Sequence, residues 1–382
     1  MSKNLVKALS GVCCLAAAVA ADAAEFDHEC TSWLIFSDLT GNGTHILHKN
    51  RDAKARNLLP LSSRPDSPRK WIGLGHRDVG GNAVFVCMGI NSSGLAAVVN
   101  SGENTVEPSD PKGTMRTPLI LQQCLAECDT ASQAVEKVRE MLRTRRYSHG
   151  KRGSIFLFMD TKEAYIAEAT AERCSVTRYD HGYAFRANIW HNSDMASVAD
   201  GTIGSWLNSC NREYMVRQHL NRVWRKQGKI TVADNLDLSR LCTTPKGSPI
   251  ARTICSKSTN SASTLEIDLR HPDVLSTGYF LIGPPRHTIS LPFPICAEKF
   301  LPSMTELRWS AAAWKRFDER GFDAKIPPIW RAFETASLER YQAVRAEAKK
   351  LLDEGQRDKA VKLLNDTAAD IWKSAETLLK IE

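Results

Sequence analysis

The sequence predicts an α+β fold in which two antiparallel sheets pack face to face with helices on their outer faces, and three observations carry that expectation. Short apolar and β-branched runs recur with turn residues between them, as in an antiparallel meander. Helical patterns interrupt those runs twice, which supplies layers to cover sheets. After Pro294 the strand pattern stops and the chain becomes rich in Trp, Ala and charge.

Taken in order, residues 30–36 do not alternate: Trp33, Leu34, Ile35 and Phe36 put apolar surface on both faces, so this strand is covered on both sides. Asn42-Gly43 predicts a hairpin turn, with the return strand over residues 44–50. A turn centred between residues 41 and 43 sets Cys30 opposite a residue between about 52 and 55, beside Asp52. His45 and His48, at odd spacing on that strand, point to opposite faces and do not make a zinc pair. Residues 53–70, with Pro60, Pro65 and Pro68, read as a long loop. A second hairpin runs over 83–90 and 95–100 around Asn91-Ser92-Ser93-Gly94, so that Asn100 ends a buried strand.

Helices are predicted over 118–127 and 131–143, the second with Thr130 and Gln133 in capping-box positions. Strands follow at 154–159, 164–169, 174–178 and 183–190, helices at 209–227 and 232–241, and strands again at 263–269 and 278–282. In the C-terminal region Leu338, Tyr341, Val344, Ala348 and Leu352 recur at helical spacing. Gly355 breaks the pattern, and Val361, Leu364, Ala368, Ile371, Ala375 and Leu378 resume it. This reads as a helical hairpin packed back on the protein's own core.

At 382 residues, 42% hydrophobic and 25% charged, the chain has globular composition. Its net charge of +8 is dispersed; the densest cluster, Arg143, Arg145, Arg146, Lys151 and Arg152, reads as a solvated loop. Without aromatic interleaving or a recognition motif it gives no reason to expect nucleic acid. The start looks like a secretory signal, with Lys3 and Lys7 before an apolar run over residues 8–20 and an Ala21-Asp22-Ala23 cleavage site. That run is too short to span a bilayer, so an exported protein, secreted or periplasmic and without stable membrane insertion, is expected. Cleavage there leaves residues 24–29 as a short pro-segment ahead of Cys30.

Two of the eleven cysteines, Cys13 and Cys14, fall in the leader; the nine that remain are an odd number in a compartment that permits disulfides. One free thiol is therefore expected, with Cys87, Cys124, Cys128, Cys174, Cys210, Cys242, Cys255 and Cys296 as the candidates for pairing. Cys124 and Cys128, four apart on a helix, read as small core residues rather than metal ligands. No metal or other cofactor is expected.

If Cys30 becomes the first residue of the mature chain, its α-amine, with a reference pKa of roughly 7.7 to 8.0, can act as general base for its own thiol. Amide cleavage also needs something to hold that base and donors for the oxyanion. Asp52 is the candidate holder of the amine; Asn100 and Asn188, at strand ends, are candidate donors. Asn192, in Trp190-His191-Asn192, is a rival to Asn188.

In combination these residues resemble the N-terminal nucleophile amide hydrolases, the group of choloylglycine hydrolases, penicillin V acylases and acyl-coenzyme A:isopenicillin N acyltransferase. The resemblance runs through Cys30-Thr31, the N-x-D of Asn50 to Asp52, Gly89-Ile90-Asn91-x-x-Gly94-Leu95 leading to Asn100, the Asn188 segment, and Ser209-x-x-Arg212. It covers roughly residues 30–294 and implies an αββα sandwich, a core over residues 30–300; the helical region over 301–382 is read from the change of composition after Pro294. It further implies Cys30 as nucleophile, Asp52 positioning the amine, Asn100 and Asn188 serving oxyanion and substrate, and Arg212 completing the polar network. Lys49, Asn50 and Arg51 are implied to meet the substrate.

One departure stands out: bile-salt-cleaving members carry R-N-x-D, and here Lys49 replaces the arginine, keeping the charge but losing the planar fork. The helical tail is closer to the secreted dipeptidases of the same clan. The expected activity is hydrolysis of a small linear amide through a Cys30 thioester. Acyl transfer to an amine, dipeptidase action, and a binding protein with lost chemistry are the alternatives, and self-association stays open. A papain-like protease is disfavoured, because strand-forming residues rather than a Gly/Ser-rich helix start follow Cys30.

Overall fold

The structure is a computed structural model and describes residues 29–77, 84–107, 115–148, 152–243 and 253–381. The leader and most of the pro-segment, residues 1–28, lie outside the described residues, as does Lys151 of the basic cluster.

The strands are β1 (Cys30–Ile35), β2 (Thr44–Asp52), β3 (Leu58–Ser62), β4 (Trp71–Arg77), β5 (Val84–Asn91), β6 (Ala96–Asn104), β7 (Met115–Arg116), β8 (Tyr147–Ser148), β9 (Arg152–Met159), β10 (Ala164–Ala169), β11 (Cys174–Tyr179), β12 (Tyr183–Arg186), β13 (Thr259–Asp268), β14 (Thr277–Leu281) and β15 (Leu291–Pro294). They form one sheet in the order β12-β1-β2-β13-β14-β15 and a second in the order β11-β10-β9-β6-β5-β4-β3. Every pairing within these two sheets is antiparallel. The longer helices are α1 (Thr117–Glu127), α2 (Ala131–Arg143), α3 (Ile203–Gln227), α4 (Val232–Ser239), α5 (Arg308–Arg320), α6 (Pro328–Asp353) and α7 (Arg357–Leu379).

The layers follow from which faces are apolar. Leu121, Leu125, Val135 and Val138 of α1 and α2 share a cluster with Val86, Ala97, Phe156 and Phe158, covering the outer face of the second sheet. A larger cluster joins Leu34, Leu47 and Leu265 of the first sheet to Met88, Val98 and Leu157 of the second. Val216, Leu236, Tyr341 and Ile371 bring α3, α4, α6 and α7 into that same cluster. The result is the α+β sandwich of two antiparallel sheets between helices that the sequence predicts. The expected capping box forms, with the Thr130 side chain accepting from the Gln133 N–H.

The helical hairpin is α6 and α7, joined at Gly355, whose φ of 77° is one that glycine adopts without strain. It packs on the first sheet. Arg345 pairs with the buried Glu266 of β13 at 2.7 Å, and the Trp372 indole N–H donates to the Pro292 carbonyl at 2.8 Å.

Four expectations need correction. Asn42-Gly43 does not form a two-residue hairpin: a helical turn, Ser37–Thr40, fills the connection, and Gly41 and Gly43 take φ of 69° and 71°. The pairing centre therefore shifts back, and Cys30 faces Arg51 rather than a residue from 52 onward. Residues 53–70 are not all loop, since they contain β3, which pairs with β4. The strand predicted over 183–190 ends at Arg186, so Asn188 lies beyond it; Asn100 lies within β6, which continues to Asn104.

Fourth, all nine cysteines from Cys30 onward are free thiols. Burial makes several of them small core residues: desolvation pushes the Cys255 and Cys296 thiols up to about 12 and Cys174 to about 11. Among the described residues, no helix is long and apolar enough to cross a membrane.

Candidate active site

β1 begins at Cys30, and its first residue sits at the wall of a cavity of about 640 Å³. The first sheet contributes Cys30, Lys49, Arg51 and Asp52 to its lining, and the second contributes Phe85, Cys87, Asn100 and Ser154. Strand periodicity explains the choice of Cys30, Lys49 and Arg51, while Asp52 is the terminal residue of β2. Cys30 pairs with Arg51 and Ser32 with Lys49, so these four share one face, while the intervening residues point into the helix layer. There Thr31 meets Arg212, Trp33 donates to Asn235 and stacks on His48, and Asn50 donates to the Ser239 and Ile254 carbonyls. Asn50 thus anchors the helix layer and does not line the cavity, against the expectation that it meets substrate.

Arg212 of α3 is the hub of the buried side. It is 1% exposed and donates to the Cys30 carbonyl at 2.6 Å, Thr31 Oγ1 at 2.9 Å, Asn188 Oδ1 at 2.9 Å, Ser209 Oγ at 3.1 Å and Glu29 Oε2 at 3.0 Å. The i, i+3 spacing of Ser209 and Arg212 puts both on the face of α3 turned to β1. Glu29 is fully buried, so its carboxylate and the guanidinium form an ion pair away from solvent.

Asn188 completes the grip on Cys30. Its Oδ1 accepts the Cys30 backbone N–H at 2.9 Å, and its NH2 donates to the Ser101 carbonyl at 2.6 Å. Asn192 is not brought here; it accepts from Thr177 and its N–H donates to Glu168.

Asn100 accepts from the Ser32 hydroxyl and the Lys49 ammonium, both at 2.8 Å, which turns its NH2 toward the Arg186 and Ala187 carbonyls at 3.0 and 3.2 Å. Both candidate amide donors are therefore engaged by backbone carbonyls while Glu29 is attached. As placed, Asn188 is an acceptor for the Cys30 nitrogen, not a donor aimed into the cavity. Lys49 gives a second of its three N–H donors to the Val99 carbonyl at 2.6 Å. Asp52 is buried at the end of β2, accepting from Thr259 Oγ1 at 2.6 Å and Ser256 Oγ at 3.3 Å.

Arg51, His76, Arg116 and Arg152 add basic groups to the cavity. Arg152 opens β9 and donates to the Gly102 carbonyl, so it belongs to the cavity wall and not to a solvated loop. Arg116 and His76 carry no sequence signal, since each comes to the cavity only through the pairing of distant strands. Among the described residues no group of His, Cys, Asp and Glu has the arrangement of a metal site.

Several solved structures are similar to this chain. A mutant conjugated bile acid hydrolase from Clostridium perfringens is 14% identical over 71% of this chain and 93% of its own, with a TM-score of 0.45. A second variant of that enzyme gives 14%, 78%, 95% and 0.45, and penicillin V acylase from Agrobacterium tumefaciens gives 14%, 69%, 86% and 0.44. No curated protein matches. The family described as acyl-coenzyme A:6-aminopenicillanic acid acyl-transferase matches residues 39–263, a segment that contains Asp52, Asn100, Asn188 and Arg212 and begins just after Cys30. With more than half of its length matched, the chain belongs to that family, within the N-terminal nucleophile clan.

Proposed function

We propose that the protein is an exported enzyme that removes its own pro-segment to expose Cys30 and then cleaves small linear amides through a Cys30 thioester. In this reading residues 1–23 are a signal peptide, 24–29 a pro-segment, 30–300 the catalytic core and 301–382 a helical cover. The observation that carries it is the immobilised Glu29–Cys30 peptide: its N–H is held by Asn188, while Arg212 holds the Cys30 carbonyl and the Glu29 carboxylate. Reacting groups fixed in place before reaction lower the entropic part of the barrier.

In maturation the Cys30 thiolate adds to the Glu29 carbonyl carbon, and the C–N bond breaks as the nitrogen takes up a proton. A thioester and a free α-amine result; water hydrolyses the thioester and Glu29 leaves as a carboxylic acid. Catalysis repeats the sequence on a substrate amide, with the new amine as base. Asn188 Oδ1, already an acceptor for that nitrogen, is well placed to orient it, and Asp52 supplies negative charge at the same cavity. The family match favours a second reading, in which an amine rather than water resolves the thioester; product analysis with and without an added amine acceptor separates the two.

Intact mass and N-terminal sequencing of the exported protein test the proposal. The expected mature chain starts at Cys30, and Cys30→Ala retains Glu29. A fully active protein that still carries Glu29 removes the basis of the mechanism, because an acylated nitrogen cannot act as the base.

A further inference from the structure

The face of α3 turned away from Cys30 has no task in the mechanism above. On the inner side Arg212 holds the Cys30 carbonyl and Asn188, while Trp206, Tyr214, Arg217, Arg222, Trp224 and Arg225 are all exposed. At about 3.6 residues per turn these six share one half of the helix surface. Among the described residues, Trp206, Tyr214 and Trp224 are three of the five large apolar side chains that stay exposed, at 47%, 51% and 47%. A fourth, Val106, lies near the start of α3, its N–H donating to the Val198 carbonyl. Apolar surface gathered in one exposed place marks an interaction site.

The charge on this face has one sign. α3 contains one acid, Glu213, and it is buried, accepting from the Ala187 N–H and bonded to the His191 ring. Asp180, which shares a hollow of about 520 Å³ with Trp224, is taken up by Arg178 and His181. Three arginines with no acid on their own face call for an anionic partner. A second copy of the chain is disfavoured, since a two-fold contact here would set arginine against arginine. Trp206 and Trp224 are also about 27 Å apart along the helix, whereas the anchors of a protein interface cluster at its centre. Aromatic rings strung along one side of a helix, with basic residues between them, match a flat surface instead.

We propose that the outer face of α3 docks on a membrane surface rich in anionic lipid, with Trp206, Tyr214 and Trp224 at the headgroup level and Arg217, Arg222 and Arg225 against the phosphates. The attachment is peripheral, since among the described residues no helix is long and apolar enough to cross a bilayer. It stands apart from the Cys30 chemistry, and neither depends on the other.

Vesicle sedimentation tests this on the mature protein, comparing phosphatidylcholine alone with phosphatidylcholine containing about one third phosphatidylglycerol. Binding to the anionic vesicles is expected to exceed binding to the neutral ones by about tenfold or more at roughly 0.15 M salt, and to fall steeply at about 1 M. Replacing the aromatics together, Trp206→Ser, Tyr214→Ser and Trp224→Ser, should weaken it by about tenfold or more. Arg217→Gln, Arg222→Gln and Arg225→Gln together should remove the preference for anionic lipid. Equal binding to both vesicles, or none, overturns the proposal. So does an aromatic variant that binds like the natural chain while polyglutamate competes in full, which would assign the face to an acidic macromolecule. A dimer that the aromatic variant dissociates, with no vesicle binding, would assign it to a second copy. Hydrogen exchange on the natural chain fixes the location even if a variant does not fold: vesicles should slow exchange along α3, and protection confined to another surface refutes the assignment.

Discussion

Arg212→Ala removes the cation from a pocket in which its carboxylate partner is completely buried, so the size of the effect can be worked out in advance. Five acceptors lose a donor at once: the Cys30 carbonyl, Thr31, Asn188, Ser209 and Glu29. Removing one member of a buried ion pair costs about 3 to 5 kcal/mol, most of it from the charge left behind. The measurement belongs in a Cys30→Ala background, where Glu29 stays attached. Urea unfolding followed by tryptophan fluorescence should show a loss of that order for Arg212→Ala. Adding Glu29→Ala removes the stranded carboxylate, so the double variant should lose less than the two single losses summed, with a coupling of about 1 to 3 kcal/mol. An Arg212→Ala loss under about 1 kcal/mol, or a cycle with no coupling, would refute the view that this pair clamps the bond ahead of Cys30.

Asn188→Ala in the otherwise natural chain should slow release of the pro-segment by about tenfold or more, since the amide that orients the Cys30 nitrogen is lost; unchanged release by timed mass spectrometry contradicts that role. Acid stability should reflect three buried imidazoles. Desolvation above all lowers His48 to about 3 and His45 and His287 to about 4, against about 6.5 unfolded. Between those limits the unfolded chain binds more protons, so stability falls as pH drops below about 6.5 towards 4. His48→Gln should flatten part of that slope in urea titrations at stepped pH, and an unaltered slope would mean that His48 does not contribute. Truncation before Ser337 removes Arg345, leaves Glu266 buried without its cation and uncovers the outer face of the first sheet; a soluble product with native near-ultraviolet dichroism would show the hairpin to be dispensable.

What the sequence could and could not reveal follows from which interactions decide each feature. The capping box at Thr130 and Gln133 and the break at Gly355 are local, and they form as read. β3 was hidden because Pro60 lies inside it. A proline is tolerated there because β3 is the edge of its sheet, where a missing N–H costs no ladder bond on the open side. Edge position is a property of the assembled sheet and leaves no mark on the residues themselves. The β1–β2 register depended on the same kind of information. An Asn-Gly pair commonly makes a tight hairpin, but here the Thr40 hydroxyl donates to the Thr44 carbonyl and the Asn42 amide to Glu266 of β13, contacts that favour the longer helical connection.

That small shift in register changes how the Lys49-to-Asp52 stretch works. With Arg51 opposite Cys30, strand alternation sends Lys49 and Arg51 to the cavity and His48 and Asn50 to the helix layer. His48 then stacks on Trp33 and Asn50 ties α4 and the segment at Ile254 to the first sheet. The lysine in place of arginine is accommodated by this geometry. Its ammonium donates to the Val99 carbonyl and the Asn100 amide oxygen, and in donating to the latter it fixes which way the Asn100 amide points.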